Sequence, residues 1–365
     1  MRIAILADPL DNQRAGVHVY TRQFIQALVD HGSDDHEYIL IRSKEGEAFP
    51  SLRQIVVPNT TLPIGWASFR LFVLVPRVCR KLKVDAVFEP AHFGPFNLPR
   101  SIKRITMIHD LTPILFPQYH RWHSQWLQKR FLPGILRRAD LVLANSAHTR
   151  KDLMAYQPEV AQKTIAIPLG IDTRFQPVED AALFQRYLLP QRYFLYLGTL
   201  EPRKNLLTLL EAFQHYRAQG GKTELVLAGK MGWKNTTLLR ALTKNEFRQY
   251  IHLPGYVASE DLPALYSHAV GFVYPSEYEG FGFPVLEAMA CGVPVMVAAN
   301  SSLLEVGGDA AYYFPTHDSR ALAQLMEEVE THTDSVRLET ARRHAATFTW
   351  ANYVRSWETA LQQLI

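Results

Sequence analysis

Cysteine is scarce in this chain, and the spacing of its cysteines argues against a cysteine-based metal or redox site. The two cysteines among 365 residues, Cys79 and Cys291, form no C-x-x-C pair and show no metal-ligand spacing. Both lie in apolar surroundings, which is typical of buried thiols in a reducing cytoplasm. No Asp-x-Asp follows a strand and no His/Cys cluster occurs, so neither a metal nor another cofactor is expected.

Long apolar runs are also missing. No stretch of about 18 apolar residues occurs, so no membrane-spanning helix is expected. The first ten residues, MRIAILADPL, lead directly into a strand and lack the long apolar segment of a signal peptide, which favours a cytoplasmic location. The net charge of +4 is mildly basic. This charge does not indicate a nucleic-acid partner, but it permits attraction to acidic lipid or phosphate.

The first loop is poor in glycine. A short buried strand, Ile3 to Ala7, a polar loop and a helix from Val17 to His31 form the opening of a Rossmann-like half. The loop contains Gly16 but no G-x-G-x-x-G, which argues against a dinucleotide dehydrogenase. The length of 365 residues favours two domains.

Two stretches contain no acidic residue. The predicted helix from Trp66 to Lys83 carries Arg70, Arg77, Arg80, Lys81 and Lys83, and Pro76 is expected to kink it. The stretch from Leu111 to Ala139 carries Arg121, Lys129, Arg130, Arg137 and Arg138, interleaved with aromatics that include Trp122 and Trp126. Either these aromatics pack in the core with the bases in water, or the stretches lie on anionic lipid.

The richest stretch runs from Pro275 to Val297, PSEYEGFGFPVLEAMACGVPVMV. An apolar strand precedes it, Pro284 opens a helix, Gly292 ends that helix, and a β-branched strand follows. This order predicts a βαβ unit of a parallel sheet.

Two acids in that unit lie eight residues apart, Glu279 in the loop and Glu287 in the helix. Gly280 and Gly282 leave the loop backbone bare, so that a ligand can approach it closely. The N-terminus of the helix favours an anion, and Glu287 can reach a sugar hydroxyl. The combination suits a ligand with both phosphate and hydroxyl groups; the alternative is a loop acid and a helix-capping acid.

Polar residues follow two other strands. Tyr193 to Leu197 leads through Gly198 to Arg203 and Lys204 before a helix, where the two cations can clamp a diphosphate. Their alternative is a pair of solvated surface cations. The strand Ile105 to Ile108 ends at His109, where open α/β sheets bind ligands, although a histidine there can also be structural.

The segment E-G-F-G-F-P-V-L-E resembles the E-x7-E motif of the retaining glycosyltransferases with the GT-B fold, in particular family 4. G-T-L-E-P-R-K-N, T-M-I-H-D-L-T-P, L-V-L-A-G-K and G-Y-V are also similar to segments of that family and occur in the same order. The resemblance covers nearly the whole chain and is strongest from Pro168 to Phe314. It departs in the first loop, where the family usually has paired glycines and this chain has Ala15-Gly16.

The resemblance implies an α/β fold of two Rossmann-like domains that face each other across a cleft. The acceptor domain would span residues 1–168 plus a returning C-terminal helix, 350–365, and the donor domain residues 169–349. Arg203 and Lys204 would hold the diphosphate, Glu287 the ribose, and Glu279 and His109 the transferred sugar. The rest of the donor site would comprise Gly16, Gly198, Gly229, Val257, Gly280, Phe281 and Gly282.

The implied activity is metal-independent transfer of a sugar, with retention, from a nucleotide diphosphate sugar to a hydroxyl. Mannose from GDP-mannose is the favoured donor, and a glycan or lipid-linked glycan of a surface polysaccharide is the expected acceptor. Peripheral contact with the anionic inner face of the cytoplasmic membrane is expected from the acid-free stretches. Two alternatives stay open: a nucleotide-sugar epimerase with the GT-B fold, and a non-catalytic nucleotide-binding subunit of a membrane complex.

Overall fold

The computed structural model describes residues 1–11, 16–59, 66–120, 122–332 and 334–364. The described chain divides into two compact units. Unit 1 comprises the described residues of Met1–Gly170 and Thr349–Ile365, and unit 2 comprises those of Ile171–Phe348.

Unit 1 is built around a parallel sheet of seven strands in the described residues, in the order β3-β2-β1-β4-β5-β6-β7. The strands are β1 Arg2–Leu6, β2 Glu37–Arg42, β3 Arg53–Val56, β4 Ala86–Glu89, β5 Lys103–Ile108, β6 Leu141–Ala144 and β7 Thr164–Ala166. The helices are α1 Asp8–Asp11, α2 Val17–His31, α3 Trp66–Phe69, α4 Val75–Lys81, α5 Thr112–Leu115, α6 Trp122–Arg138 and α7 Ala147–Tyr156. Strands β4 and β6 are buried along their whole length, as parallel strands covered on both faces must be.

The segment around Pro76 departs from the predicted kinked helix. Between α3 and α4, residues Arg70–Leu74 form a π-helical turn. Pro76 has no N–H with which to bond the carbonyl of Phe72, and its ring needs room there, which the wider turn provides. The Phe72 carbonyl instead accepts a hydrogen bond from Asn97 Nδ2 at 3.1 Å.

The C-terminal helix, α16 Trp350–Leu361, packs against α2 in unit 1, which confirms the predicted return of the chain. The Tyr20 and Tyr353 hydroxyls are 2.5 Å apart, and the Trp357 ring lies 5.3 Å from Phe24 and 4.7 Å from Phe88. Because Trp357 is fully buried, its replacement by alanine would cost about 3–5 kcal/mol.

Unit 2 contains a six-stranded parallel sheet in the order β10-β9-β8-β11-β12-β13. Its strands are β8 Tyr193–Leu197, β9 Glu224–Ala228, β10 Ile251–Gly255, β11 Gly271–Tyr274, β12 Val295–Ala298 and β13 Tyr312–Phe314. Its helices are α8 Ala182–Tyr187, α9 Leu206–Ala218, α10 Thr236–Lys244, α11 Leu262–Ser267, α12 Phe283–Ala290, α13 Leu303–Gly307, α14 Ser319–Thr331 and α15 Ser335–Ala345.

In each sheet the chain order of the strands changes direction at one point, although all the strands are parallel. This point lies between β1 and β4 in unit 1 and between β8 and β11 in unit 2. In open α/β sheets, ligands bind outside the carboxyl ends of the strands at such a switch point. The loops that follow these four strands are therefore the places at which to look for a site.

Candidate active site

In unit 2, the loops after β8 and β11 bring the predicted cations and one predicted acid together. After β8, residues Pro202–Lys204 form a 3₁₀ turn that leads into α9. After β11, the chain passes Glu279 before α12 begins at Phe283. The loops are tied by the Glu277 N–H, which donates to the Arg203 carbonyl at 3.0 Å.

Glu279 lies between the two cations. Lys204 Nζ is 2.5 Å from Glu279 Oε1, and Arg203 Nη1 is 3.1 Å from Glu279 Oε2. Lys204 and Glu279 are both buried. The cations predicted as a clamp are therefore not solvated independently, because they share one buried carboxylate.

The charges set the ionisation of this cluster. Burial alone would raise the pKa of the Glu279 carboxyl, but the charges of Arg203 and Lys204 outweigh it and lower the pKa to about 2. Burial lowers the pKa of Lys204, and Arg203 adds to this effect while Glu279 opposes it. The short contact and the depressed pKa of Glu279 together define a charged pair at neutral pH.

The loop that carries Glu279 is fixed from behind by two serines. The Glu279 N–H donates to Ser301 Oγ at 2.9 Å, and Ser302 Oγ lies 2.6 Å from the Phe281 carbonyl oxygen, to which it donates. Gly282 then adopts a φ of 126°, a conformation that L side chains rarely adopt, and α12 starts. The loop conformation thus depends on backbone contacts that leave the Glu279 carboxylate to the cations.

Glu287 occupies the second turn of α12 and has a different environment. Its Oε2 accepts a hydrogen bond from the Tyr266 hydroxyl at 2.8 Å. Burial raises the pKa of Glu287 to about 7, although the Tyr266 bond and the charge of Arg174 pull it down. The two predicted acids therefore differ in pKa by several units, and Glu279 alone is committed to the cations.

Two of the glycines predicted for the donor site, Gly198 and Gly229, directly follow neighbouring strands of the same sheet. The Gly198 N–H donates to Ala228 O at 3.0 Å, and the Gly229 N–H donates to Gly255 O at 2.7 Å. A side chain at Gly229 would clash, since a Cβ there would lie 2.0 Å from the Gly198 carbonyl oxygen. Val257, two residues beyond Gly255, is buried.

Of the other predicted positions in unit 2, Gly280 follows Glu279 in the loop. Phe281 is 5% exposed, and its ring packs 5.2 Å from Phe283 and 6.1 Å from Phe348. Any contact from Phe281 to a donor would therefore have to come from its backbone.

In unit 1, His109 follows β5 and is 9% exposed. Its Nε2 lies 2.8 Å from the Pro90 carbonyl, which can only accept, so the ring hydrogen is on Nε2 and Nδ1 remains an acceptor. His92 stacks on it at 5.2 Å and accepts the His109 backbone N–H at 2.5 Å. Burial lowers the pKa of His109 to about 3, so the ring is neutral at pH 7.

Two further features of unit 1 lie at its switch point. Gly16 precedes α2 with a φ of 71°, while Ala15 lies outside the described residues. At the end of β4, Glu89 is 4% exposed, and its Oε2 has no hydrogen-bond partner among the described residues. Burial raises the pKa of Glu89 to about 8, so that it is a largely neutral acid at pH 7.

The chain matches the family described as Glycosyl transferases group 1 over residues 182–345, and Glycosyltransferase Family 4 over residues 14–175. It is 36% identical over 272 residues to the O-antigen chain mannosyltransferase B of Escherichia coli, in an alignment that covers 72% of this chain and 71% of that protein. The chain belongs to the family 4 glycosyltransferases. The predicted family is thereby confirmed.

Two other comparisons concern length and fold. The serotype-specific mannosyltransferase WbdA of Escherichia coli is 29% identical over 269 residues, which are 68% of this glycosyltransferase but only 32% of WbdA. The structure of sucrose-phosphate synthase from Thermosynechococcus elongatus superposes with a TM-score of 0.77 at 21% identity, over 100% of this chain and 99% of that one. This likeness and the two parallel sheets confirm the predicted GT-B fold.

One basic residue that was predicted for a membrane-facing surface of the glycosyltransferase is buried instead. Arg70 is 2% exposed, and its guanidinium pairs with Asp8, with Nη1–Oδ2 at 2.5 Å and Nη2–Oδ1 at 2.7 Å. It therefore holds α1 rather than adding to a basic surface. Trp122 and Trp126, in contrast, are 77% and 57% exposed, so the core-packed interpretation of these two aromatics is wrong. Arg121 lies outside the described residues.

Sequence reasoning missed three residues that shape the site. Glu201 is buried and pairs with Arg203 at 2.9 Å, Tyr274 accepts a hydrogen bond from Lys204 at 2.9 Å, and Ser301 holds the Glu279 backbone. Glu201 and Tyr274 could have been found, since Glu201 lies two residues before Arg203 and Tyr274 is the last residue of β11. Ser301 lies 22 residues from its partner and gave no such signal.

Within the described residues, no three His, Cys, Asp or Glu side chains are grouped so that they could hold a metal ion. In that same part of the chain, no helix is long and apolar enough to cross a membrane.

Proposed function

We propose that this glycosyltransferase transfers mannose from GDP-mannose, with retention and without a metal, to a hydroxyl of a lipid-linked glycan in surface polysaccharide synthesis. The observation that carries the proposal is the cluster of Arg203, Lys204 and Glu279 at the switch point of unit 2. The choice of mannose is supported by the relatives named for mannosyl transfer.

The reaction places charge on the leaving group. As the acceptor oxygen bonds to the anomeric carbon, the bond from that carbon to the β-phosphate oxygen breaks and the hydroxyl proton passes to the departing diphosphate. Arg203 and Lys204, together with the N-terminus of α12, stabilise the negative charge that develops there. Two fixed cations thus supply the stabilisation that a divalent metal supplies elsewhere.

Glu279 and His109 act on the transferred sugar. With a pKa of about 2, Glu279 remains a carboxylate and accepts hydrogen bonds from sugar hydroxyls. With a pKa of about 3, His109 is neutral at pH 7, so it orients the sugar through Nδ1 as an acceptor rather than as a proton donor. Their roles are therefore to orient the sugar rather than to transfer protons.

A nucleotide panel tests the donor. GDP and GDP-mannose should raise the melting temperature more than UDP, ADP and their sugar forms, because a ligand stabilises the state that it binds. Radiolabel from GDP-mannose should then enter a lipid extract that contains lipid-linked glycans, and should do so in EDTA. Greater stabilisation by UDP and its sugar form would contradict the choice of donor. Loss of activity in EDTA would contradict the metal-free mechanism. Nucleotide binding with no transfer would favour the non-catalytic subunit.

The pH dependence of nucleotide binding tests Glu287. If Glu287 accepts a ribose hydroxyl, it must bind as a carboxylate, and its pKa in the free protein is raised to about 7. Below that pKa a proton must be lost on binding, so affinity for GDP should fall by up to about tenfold per pH unit as pH drops. Calorimetry at pH 6, 7 and 8 measures this slope. Glu287→Gln should bind more weakly at pH 8 and lose the slope; the same slope in the variant would show that another group titrates.

The exposed surface of α6 and α4 should contact anionic membrane. Trp122 and Trp126 are exposed, as are the basic residues of the two helices, which are Arg77, Arg80, Lys81, Lys129, Arg130, Arg137 and Arg138. Each base near an anionic surface contributes about 1 kcal/mol, and the tryptophans favour the headgroup level.

Vesicle sedimentation measures this binding. The protein should pellet with phosphatidylglycerol vesicles at low salt and be released as salt rises, while phosphatidylcholine vesicles should leave it in solution. Trp122→Ala combined with Trp126→Ala should weaken pelleting, and the matched control Trp233→Ala, a partly exposed tryptophan of unit 2, should not. Equal binding to both vesicle types would contradict the prediction.

A further inference from the structure

A cavity of about 530 Å³ lies in unit 1, apart from the residues assigned to the donor. Its walls come from α6, from the π-helical turn and from the loop of residues 95–98. On α6, Arg130, Gly134 and Arg138 follow one another at intervals of four, so they form a stripe along one face with a gap at the glycine.

The apolar part of the cavity is aromatic. Phe72 stacks on Phe96 at 4.3 Å, and the Phe131 ring lies 6.2 Å from Phe96. Phe131 is also 6.5 Å from the exposed ring of Trp126, so the aromatic wall continues towards the surface of α6.

The polar part consists of three arginines and the amide of Asn97. Arg104, Arg130 and Arg138 line the cavity, and among the residues that the structure describes no acid does. None of the three forms a salt bridge within the described chain, and the Nε of Arg104 is buried without a hydrogen-bond partner. The Arg104 guanidinium donates to the Leu98 and Arg138 carbonyls and interacts with the charge of Asp140. Arg130 and Arg138 therefore present two exposed guanidinium groups, without an ion pair among the described residues, beside the aromatic wall.

We propose that this cavity binds the phosphate of an anionic lipid together with the first carbons of its apolar chain. The arginines suit the phosphate, and Phe72, Phe96 and Phe131 suit the chain. The volume lies within the range of ligand pockets, about 300–1,000 Å³, and exceeds what a bare phosphate fills. The inference rests on the membrane-associated part of the proposed function and adds a specific lipid site to it.

The site can be closed without a change in charge. A Cβ at Gly134 meets only Arg138 Nη1, at 3.4 Å, so a leucine there can extend into the cavity. Glycine is unfavourable inside a helix, so Gly134→Leu should not impair α6. The charge variants are Arg130→Gln and Arg138→Gln, and Arg137→Gln on the same helix is the matched control, because Arg137 does not line the cavity.

The experiment is calorimetry with dihexanoyl phosphatidic acid below its micelle concentration, with dihexanoyl phosphatidylcholine and inorganic phosphate as comparisons. The wild type should bind one phosphatidate per chain, at least roughly tenfold more tightly than either comparison. Gly134→Leu and both charge variants should lose roughly tenfold or more in affinity, and Arg137→Gln should not. Unchanged GDP affinity and melting temperature confirm that each variant is folded.

The outcomes separate the cavity from the general surface. Gly134→Leu should still pellet with phosphatidylglycerol vesicles, because its charge is that of the wild type. Equal affinity for inorganic phosphate would show an ordinary anion site, and undiminished phosphatidate binding by Gly134→Leu would place the lipid elsewhere; either result overturns the inference. A wild type that binds monomeric phosphatidate but no vesicle would retain the cavity and contradict the membrane contact instead.

Discussion

Lys204→Ala should almost abolish sugar transfer and weaken GDP binding by roughly 1.5–3 kcal/mol, the range for hydrogen bonds to charged groups. Lys204 is also the closer of the two cations to Glu279. Removal of one partner of a buried pair leaves the other uncompensated, so the free energy of unfolding should fall by about 3–5 kcal/mol. Calorimetry and denaturant unfolding measure the two effects.

Arg203→Ala should show the same loss of GDP affinity with a smaller loss of stability. Its side chain is more exposed than that of Lys204, and Glu279 would keep its closer partner. Lys222→Ala, at an exposed lysine of the same unit, is the control for loss of a positive charge. Unchanged GDP affinity in both Arg203→Ala and Lys204→Ala would disprove the clamp.

A double variant separates the clamp from the ion pair. In Lys204→Met with Glu279→Gln no buried charge is left without its partner, so much of the lost stability should return, while GDP affinity should stay low. If stability and affinity returned together, the weak binding of Lys204→Ala would be a consequence of local unfolding.

Local sequence patterns predicted helices and strands well where a buried apolar run or a helical period is clear. The helix Val17–His31 and the strands Tyr193–Leu197 and Glu224–Ala228 have the predicted bounds, since buried apolar runs or a helical period extend to their ends. Strand Arg53–Val56 was missed, because it is a partly exposed edge strand with the sequence RQIV. An edge strand of this kind has neither a buried run nor a clean alternation.

Pairings distant in the chain could not be predicted. Arg70 was assigned to a surface because its partner, Asp8, lies 62 residues earlier. Lys204 and Glu279 were both selected, but as a phosphate clamp and a sugar ligand, since nothing in either loop predicts a contact across 75 residues. The tautomer of His109 depends likewise on a carbonyl 19 residues away, and its neutral form depends on burial in the fold. The sequence therefore identified residue types at strand ends, and the fold determined their ionisation.

Glu279→Gln should lower the rate of transfer by one or more orders of magnitude, about 1.4 kcal/mol of activation free energy for each. A neutral amide cannot provide the charge that orients the sugar beside the two cations. Affinity for free GDP should be preserved or slightly increased, because Arg203 and Lys204 would lose an internal competitor for the phosphates. Transfer assays and GDP calorimetry on one preparation measure both quantities.

The same variant should change stability in acid. Because the folded pKa of Glu279 is lowered from 4.5 to about 2, its carboxylate adds stability above pH 4.5 that is lost as pH falls towards 2. Glu279→Gln should therefore be less stable than the wild type at pH 7, by roughly 2–4 kcal/mol, and the difference should shrink in acid. Glu287→Gln is the control, since the pKa of Glu287 is raised rather than lowered.

The pattern across these measurements decides between a catalytic and a structural role for Glu279. If the carboxylate were purely structural, its replacement would lower stability at neutral pH and leave the transfer rate of each folded molecule unchanged. If the carboxylate orients the sugar, its replacement should lower both stability and transfer rate while GDP affinity stays intact. The defect then appears in kcat rather than in nucleotide binding. A wild-type rate per folded molecule in Glu279→Gln would therefore remove Glu279 from the reaction and leave it as the counter-ion of the clamp.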